Sequence, residues 1–265
     1  MGVFLFLQTE IMRIVSYNVN GIRAAVRKGL LEWIAEDDAD VYCFQELKAN
    51  EEDIPTKEFE QLGYHCEWYS AQKKGYSGVG VVTKQRSKKV VKGMSQKQAD
   101  FEGRTIQINL ANFKLINTYF PSGSSGQERQ DYKMKFLDNY MKFTVDQKKK
   151  EKNVIIVGDY NICHKAIDIH DPVRNKNSSG FLLEEREWMD SFFDAGFIDS
   201  LRVINPHPDQ YSWWSYRANA RQNNKGWRID YISLSESMRE RIEDAGILSD
   251  VVHSDHCPIF VEITD

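Results

Sequence analysis

Side chains able to hold a cation or move a proton recur where apolar runs of the chain come to an end. Asn18 and Asn20 follow residues 13–17, Gln45 and Glu46 follow residues 41–44, Tyr119 closes residues 113–119, and Asp159 and Asn161 follow residues 154–157. Asp230 lies within residues 227–234, and Asp255 with His256 precedes residues 258–263. Carboxylates, amides, a phenol and an imidazole are groups that bind hard cations through oxygen and carry acid–base chemistry. Each also has an ordinary reading. Asn20-Gly21 is a turn pair by itself, Glu46 a surface carboxylate, Gly158-Asp159 a plain turn and His256 a packed or surface histidine. The functional reading rests on the set, because unrelated polar residues rarely fall at equivalent strand ends. No Cys/His cluster has zinc spacing.

The elements that must position this set are mostly strands. Residues 13–17, 41–44, 105–110, 113–119, 154–157, 211–214, 227–234 and 258–263 read as strands, with Ile106, Ile108 and Leu110 alternating on one face. Residues 154–157 are continuously apolar, as in a strand covered on both faces. A short turn at Ala111-Asn112 implies a hairpin. Three helices fall between strands, marked by Leu30, Leu31, Trp33 and Ile34, by Tyr132, Phe136 and Tyr140, and by Trp188 with Phe192. The last of these ends at Gly196. The polar stretches 146–152 and 174–179 read as a solvated turn and a loop. Hairpins mixed with crossover helices predict two sheets packed face to face with helices outside. Loops at one set of strand ends gather at one rim, and an antiparallel last strand brings Asp255 and His256 to it.

The 265 residues suit one large domain, read as residues 12–265 with residues 1–11 as an extension, since Met12 is a plausible start. A net charge of −4 argues against a protein that coats nucleic acid, so any such contact must be local. Cys43, Cys66, Cys163 and Cys257 form no CxxC pair and read as reduced thiols of a cytoplasmic protein. The N-terminal apolar run lacks a basic flank and is too short for a signal peptide, and no stretch is long enough to span a membrane.

Seven stretches, in order, carry a family resemblance: residues 16–24 (SYNVNGIRA), 44–48 (FQELK), 75–79 (GYSGV), 117–121 (NTYFP), 158–164 (GDYNICH), 226–231 (GWRIDY) and 254–258 (SDHCP). Across residues 12–263 the chain resembles the exonuclease III type of abasic-site endonuclease, in the endonuclease–exonuclease–phosphatase superfamily. The resemblance implies a DNase I-like four-layer α/β sandwich with two mixed, mainly antiparallel sheets. It also implies Mg²⁺-dependent hydrolysis of the phosphodiester 5′ to an abasic site, with 3′-phosphodiesterase, 3′-phosphatase and 3′→5′ exonuclease activity. The substrate is then double-stranded DNA with abasic sites or blocked 3′ ends, and the protein a monomer acting in the cytoplasm on the nucleoid.

Such hydrolysis needs an activated water and offset charge on the phosphoryl and leaving oxygens. Glu46 is the expected metal ligand, because Mg²⁺ keeps its waters and is held by one or two carboxylates. Mn²⁺ suits the same ligands. Asn18 can add an amide oxygen, and Asp255 joins the metal set by resemblance. Asp159 orients or activates water with Asn161. His256 with Asp230 resembles the family's His–Asp dyad, and Tyr119 can donate to a phosphate oxygen. The choice of general base stays open. By resemblance, Trp213, Trp227 and Ile229 line a pocket for a flipped-out abasic sugar, and Arg217 inserts into DNA. Gly75, Tyr76 and Asn175 match DNA-contacting loop positions.

Residues 211–228 (YSWWSYRANARQNNKGWR) interleave Arg217, Arg221, Lys225 and Arg228 with aromatics and carry no acid, a composition suited to phosphate tracking and packing on sugar or base faces. That stretch separates this reading from a non-specific DNase, an inositol-phosphate phosphatase or a sphingomyelinase on the same fold. A catalytically silent DNA-binding protein is the more distant rival. Ser125 and Ser178 stand where some family members have Arg and Asn that touch DNA, and Asn20 where some have Asp.

Overall fold

A strand that is apolar on both sides has to be covered on both sides, and β-branched runs such as residues 154–157 therefore sit at the centre of layers. The computed structural model describes residues 11–110 and 112–264. One sheet has the order β11 (Ile242–Ile247), β12 (Ile259–Thr264), β1 (Ile11–Asn18), β2 (Val41–Gln45), β4 (Val79–Thr83), β3 (His65–Tyr69). The second runs β5 (Lys89–Lys92), β6 (Thr105–Asn109), β7 (Lys114–Tyr119), β8 (Val154–Asp159), β10 (Asp230–Ser235), β9 (Phe197–Asp199). Only β1–β2 and β7–β8 pair in parallel among the described strands; the other neighbours are antiparallel. These two central parallel pairs carry the strand ends that bear Asn18, Glu46, Tyr119 and Asp159.

The sheets meet through Ile14, Val41, Cys43, Val79 and Val81 on one side and Ile106, Ile108, Ile155, Val157 and Ile232 on the other, all buried. Side chains on the opposite faces pack on helices. Tyr17, Tyr42 and Phe44 meet α1 (Ile22–Val26), α2 (Leu30–Asp37) and α3 (Thr56–Gln61). Ile116, Ile156 and Tyr231 meet α4 (Lys97–Phe101), α5 (Gln127–Lys150) and α7 (Leu183–Asp194). Two short helices, α6 (Pro172–Asn175) and α8 (Ser200–Ile204), complete the set. The result is the expected four-layer sandwich, with strand-face alternation placing successive residues in different layers.

Several local expectations change. Residues 146–152 are no turn: α5 continues through Lys150, and the half-buried Lys148 reaches across, its Nζ donating to the carbonyls of Ala195 at 2.7 Å and Gly196 at 2.9 Å. A cation from a neighbouring helix placed just past the end of α7 suits the carbonyls that gather at a helix C-terminus. Residues 174–179 are partly helical, because Asp171 Oδ1 accepts from the Arg174 amide at 3.1 Å and starts α6. Residues 211–214 form no strand; Trp213 makes only isolated bridges to Trp227 and His256. The strand expected over 227–234 begins at Asp230. The expected strands do not include β3, β4, β5, β9 and β11, four of them edge strands whose polar or very short sequences show little alternation. Ile11, assigned to the extension, opens β1 opposite Thr264; the rest of that extension and the turn residue Ala111 lie outside the described residues. The four cysteines are free thiols, and no helix among the described residues is long and apolar enough to cross a membrane.

Candidate functional site

Both parallel strand pairs end at one rim, and the antiparallel β10 and β12 start there. The rim therefore gathers Asn18, Glu46, Tyr119, Asp159, Asp230 and His256 from both sheets. Two matching turns shape it. The Asn20 amide donates to Asn18 Oδ1 at 3.0 Å, and the Asn161 amide donates to Asp159 Oδ1 at 2.8 Å. Such Asx turns tolerate left-handed backbone two residues on, and Asn20 and Asn161 have φ of 45° and 53°. Each turn aims the free oxygen or amino group of its first residue inward.

The Asn18 amino group donates to Glu46 Oε1 and to Asp159 Oδ2, both at 2.8 Å, and so ties the two sheets together at the rim. Asn161 Nδ2 donates to Asp159 Oδ2 at 3.2 Å and to the Phe120 carbonyl at 3.0 Å. His256 places Nδ1 2.9 Å from Asp230 Oδ2 and Nε2 3.9 Å from Asp159 Oδ2. The Ser212 hydroxyl donates to the same Asp230 oxygen at 2.6 Å and accepts from the Ile229 and Asp230 amides. Lys48 Nζ lies 2.7 Å from Glu46 Oε2 and also donates to Asn20 Oδ1. Ser212 and Lys48 had no assigned role from sequence; the signal for Lys48 was its place two residues past Glu46 in the same motif.

The charges sort by environment. Burial opposes the charge on His256, but Asp230, with Asp159 and Asp255 behind it, raises its pKa to about 10. These acids favour the imidazolium form of the ring. Burial and the neighbouring Asp230 push Asp159 up to about 8, with Glu46 adding and His256 opposing. Burial also acts to raise Glu46, yet Lys48 and the Asn18 amide outweigh it and hold its carboxyl below the ordinary value. At Asp255 burial is outweighed by His256 and by hydrogen bonds from Asn20 and Trp213. Burial and the Glu46 charge raise the Tyr119 phenol well above its usual range, so it stays a proton donor.

Glu46, Asp159 and His256 each bring one ligand atom within 4.8 Å of the others. Glu46 and Asp159 offer carboxylate oxygens, which suit a hard divalent cation, while His256 engages Asp230 through Nδ1. The buried excess of carboxylates that raises Asp159 is the feature a cation would relieve. Two further residues expected in the metal set are hydrogen-bonded within the rim. Asn18 turns its amino group to the carboxylates and spends its oxygen on the Asn20 amide. Asp255 accepts from Asn20 Nδ2 at 2.8 Å through one oxygen and from Trp213 Nε1 at 3.0 Å through the other.

A cleft of about 400 Å³ joins these groups to an aromatic wall, being lined by Glu46, Tyr119, Asp159, Asn161, Asp255 and His256 and by Trp213, Trp227, Ile229 and Gly180. The Trp213 and Trp227 rings meet edge to face at 6.0 Å. Both are partly exposed, whereas Trp214 is core at 4% exposure.

The residues expected on DNA divide. Arg217 and Lys225 are exposed, Arg217 beside Tyr216 on a turn where Ala218 and Asn219 have left-handed backbone. Gly75 is exposed as well. Arg221 is a loop clamp: its guanidinium donates to the carbonyls of Ser249, Val251 and Ser254 and lies 4.7 Å over the Trp214 ring. Arg228 is fully buried between Asp168 and Asp199, each at 2.8 Å. The Tyr76 hydroxyl accepts from Arg104 at 3.1 Å and Arg129 at 2.9 Å, and Asn175 Nδ2 donates to the carbonyls of His170 and Asp171. Gly75, Tyr76, Asn175 and Arg217 all lie outside the cleft lining.

Facing sheets with carboxylates, amides and an imidazolium at a shared rim define a phosphoester-hydrolysing class of fold, and the chain belongs to the Endonuclease/Exonuclease/phosphatase family, which it matches over residues 15–256. It is 43% identical over 250 residues to an exodeoxyribonuclease of Bacillus subtilis (strain 168), covering 94% of this chain and 98% of that protein. It is 35% identical over 255 residues to a DNA-(apurinic or apyrimidinic site) endonuclease of Dictyostelium discoideum, covering 95% and 70%. Among solved structures, the 3′ phosphatase NExo from Neisseria bound to a product DNA hairpin matches with a TM-score of 0.89 at 27% identity, covering 96% of this chain and all of that one (100%).

Proposed function

We propose that this protein is a DNA repair nuclease that hydrolyses the phosphodiester 5′ to an abasic site and clears 3′-phosphoryl blocks, with 3′→5′ exonuclease activity. The observation that carries the reading is the shared cleft. Asp159 and His256 line the same space as Trp213, Trp227 and Ile229. A phosphate held at the first group puts its sugar against the second, and a wall of tryptophan rings suits a sugar without a base. The relatives' names, an exodeoxyribonuclease, an apurinic-site endonuclease and a 3′ phosphatase, support the same three activities.

In this reading the His256 imidazolium donates to a phosphoryl oxygen, and Asp230 fixes the ring and keeps it charged. Asp159 and Asn161 hold the attacking water, Asp159 through Oδ2, which faces the histidine. The Tyr119 phenol donates to a second phosphoryl oxygen. Glu46, with Asp159, would hold Mg²⁺, or Mn²⁺ in its place, which would supply further charge against the phosphoryl and leaving oxygens. Arg217 and Lys225 contact the duplex, with Gly75, Tyr76 and Asn175 on neighbouring loops. In this reading the protein acts as a monomer.

A nicking assay tests the reading. A duplex with one abasic analogue should be cut on the 5′ side when Mg²⁺ is present and left whole in chelator. Equal cutting of an intact duplex would instead indicate a non-specific nuclease.

A further inference from the structure

Lys133 of α5 and Glu185 of α7 are fully buried and lie 2.6 Å apart. Neither belongs to the cleft lining, yet each ends on a backbone that does. Lys133 Nζ also donates to the Asn161 carbonyl at 2.8 Å. Glu185 Oε2 accepts from the Gly180 amide at 2.6 Å and the Leu182 amide at 3.0 Å. Gln130, one turn before Lys133, donates to Glu185 Oε1 at 3.1 Å and accepts from the Ser179 hydroxyl at 2.7 Å.

Capping the start of α7 would need one oxygen of Glu185 and no lysine. A buried ion pair also contributes little net stability compared with an apolar pair of the same size. What the charges do accomplish is to fix two backbones against each other. Asn161 has left-handed backbone and positions Asp159. Gly180 sits so near the pocket wall that a Cβ there would come within 2.9 Å of the Trp227 ring and 3.1 Å of the Asn161 carbonyl oxygen. The loop after β7 joins the same cluster, because a Cβ on Gly123 would collide with Gln130 Oε1 and the Ser179 hydroxyl.

We propose that Gln130, Lys133 and Glu185 are positioning residues that set the water-holding side of the cleft and its sugar wall relative to each other. This rests on the nuclease reading above. The tests are the double variant Lys133→Met/Glu185→Gln, which leaves no unpaired charge and keeps an acceptor for Gly180 and Leu182, and the milder Gln130→Met. Phe59→Leu, in the far helical layer, serves as a control for lost stability. Melting temperature, Kd for abasic duplex and single-turnover incision rate are measured for each. The incision rate of the double variant should fall about tenfold or more while Kd stays within about threefold, the pattern of misplaced reacting groups. Phe59→Leu should lose stability without that fall. If the double variant does not fold, Gln130→Met decides, with a slower rate at unchanged Kd expected. A folded variant with a rate within about twofold of the parent, or a fall matched by Phe59→Leu at equal melting temperature, would overturn the proposal. Absence of abasic incision in the parent protein would be a failure of the nuclease reading, seen before any variant is made.

Discussion

Asp159 and Asp230 face each other directly across the β8–β10 ladder, and His256 bridges their carboxylates. Two buried acids on paired residues repel, and the imidazolium between them is the local answer to that repulsion. The arrangement makes Asp230 matter for chemistry although it lies outside the cleft lining.

Asp230→Asn should therefore slow the chemical step. With the carboxylate gone the ring loses its orientation and its charge, and turnover should drop by roughly 10²-fold or more, as should that of His256→Ala and Asp159→Asn. Affinity for DNA should largely persist. Single-turnover rates with saturating enzyme check this, and a near-parental rate for Asp230→Asn would remove the imidazolium from the account.

Metal dependence should map to Glu46. Glu46→Gln keeps the size and the Asn18 contact but loses the charge, so half-maximal activity should move to higher Mg²⁺, with excess Mg²⁺ restoring part of the turnover. A titration of rate against Mg²⁺ reads this directly. Full parental activity in chelator would contradict it.

Acid stability should depend on Asp168, away from the cleft. Burial opposes its charge, but Arg228 and Arg202 outweigh burial and lower its pKa to about 2. A carboxyl depressed on folding stabilises fully above its unfolded pKa of about 3.9, and that contribution is lost as pH falls through the folded value. Asp168→Asn should cost on the order of 2 kcal/mol or more at pH 7, and the gap from the parent should close between about pH 4 and pH 2. Urea melts across that window measure it. A gap independent of pH would mean the charge is not the source.

Arg221 and Lys225, alike in sequence, should fail differently. Arg221→Ala loses three carbonyl contacts and should lower stability by about 1–2 kcal/mol. Lys225→Ala should leave melting unchanged, weaken all DNA substrates alike and shallow the salt dependence by about one unit of log–log slope. An unchanged slope would take Lys225 off the DNA.

That contrast shows what the sequence could and could not tell. Residue type and strand-end position suffice for Glu46, Asp159 and His256, because a rim is where strands stop, and two central parallel pairs make it one rim. They do not say where a long side chain ends. Arg228 and Arg221 read as cations for phosphate, but acids and carbonyls distant in sequence had already claimed them. The same limit hid Lys133 and Glu185, which look like surface charges on amphipathic helices. Lys148 looked like part of a solvated turn, yet it closes the end of α7, a contact no local pattern encodes. Asn18 carries the right group for a metal, but its Asx turn with Asn20 decides which end of the amide faces the carboxylates. Edge strands such as β5 escaped notice because lysines at both ends break the alternation that marks a half-buried strand.

The central claim is that one cleft serves both the phosphate chemistry and an extruded abasic sugar. The most direct test is the ratio of single-turnover incision rates on abasic and intact duplexes, measured for the parent and for Trp227→Ala, with melting temperatures beside them because losing a packed tryptophan can cost about 3–5 kcal/mol. The account predicts a strong preference for abasic DNA in the parent and a markedly smaller ratio in a folded Trp227→Ala protein. An unchanged ratio in that variant, or no preference in the parent, would contradict it.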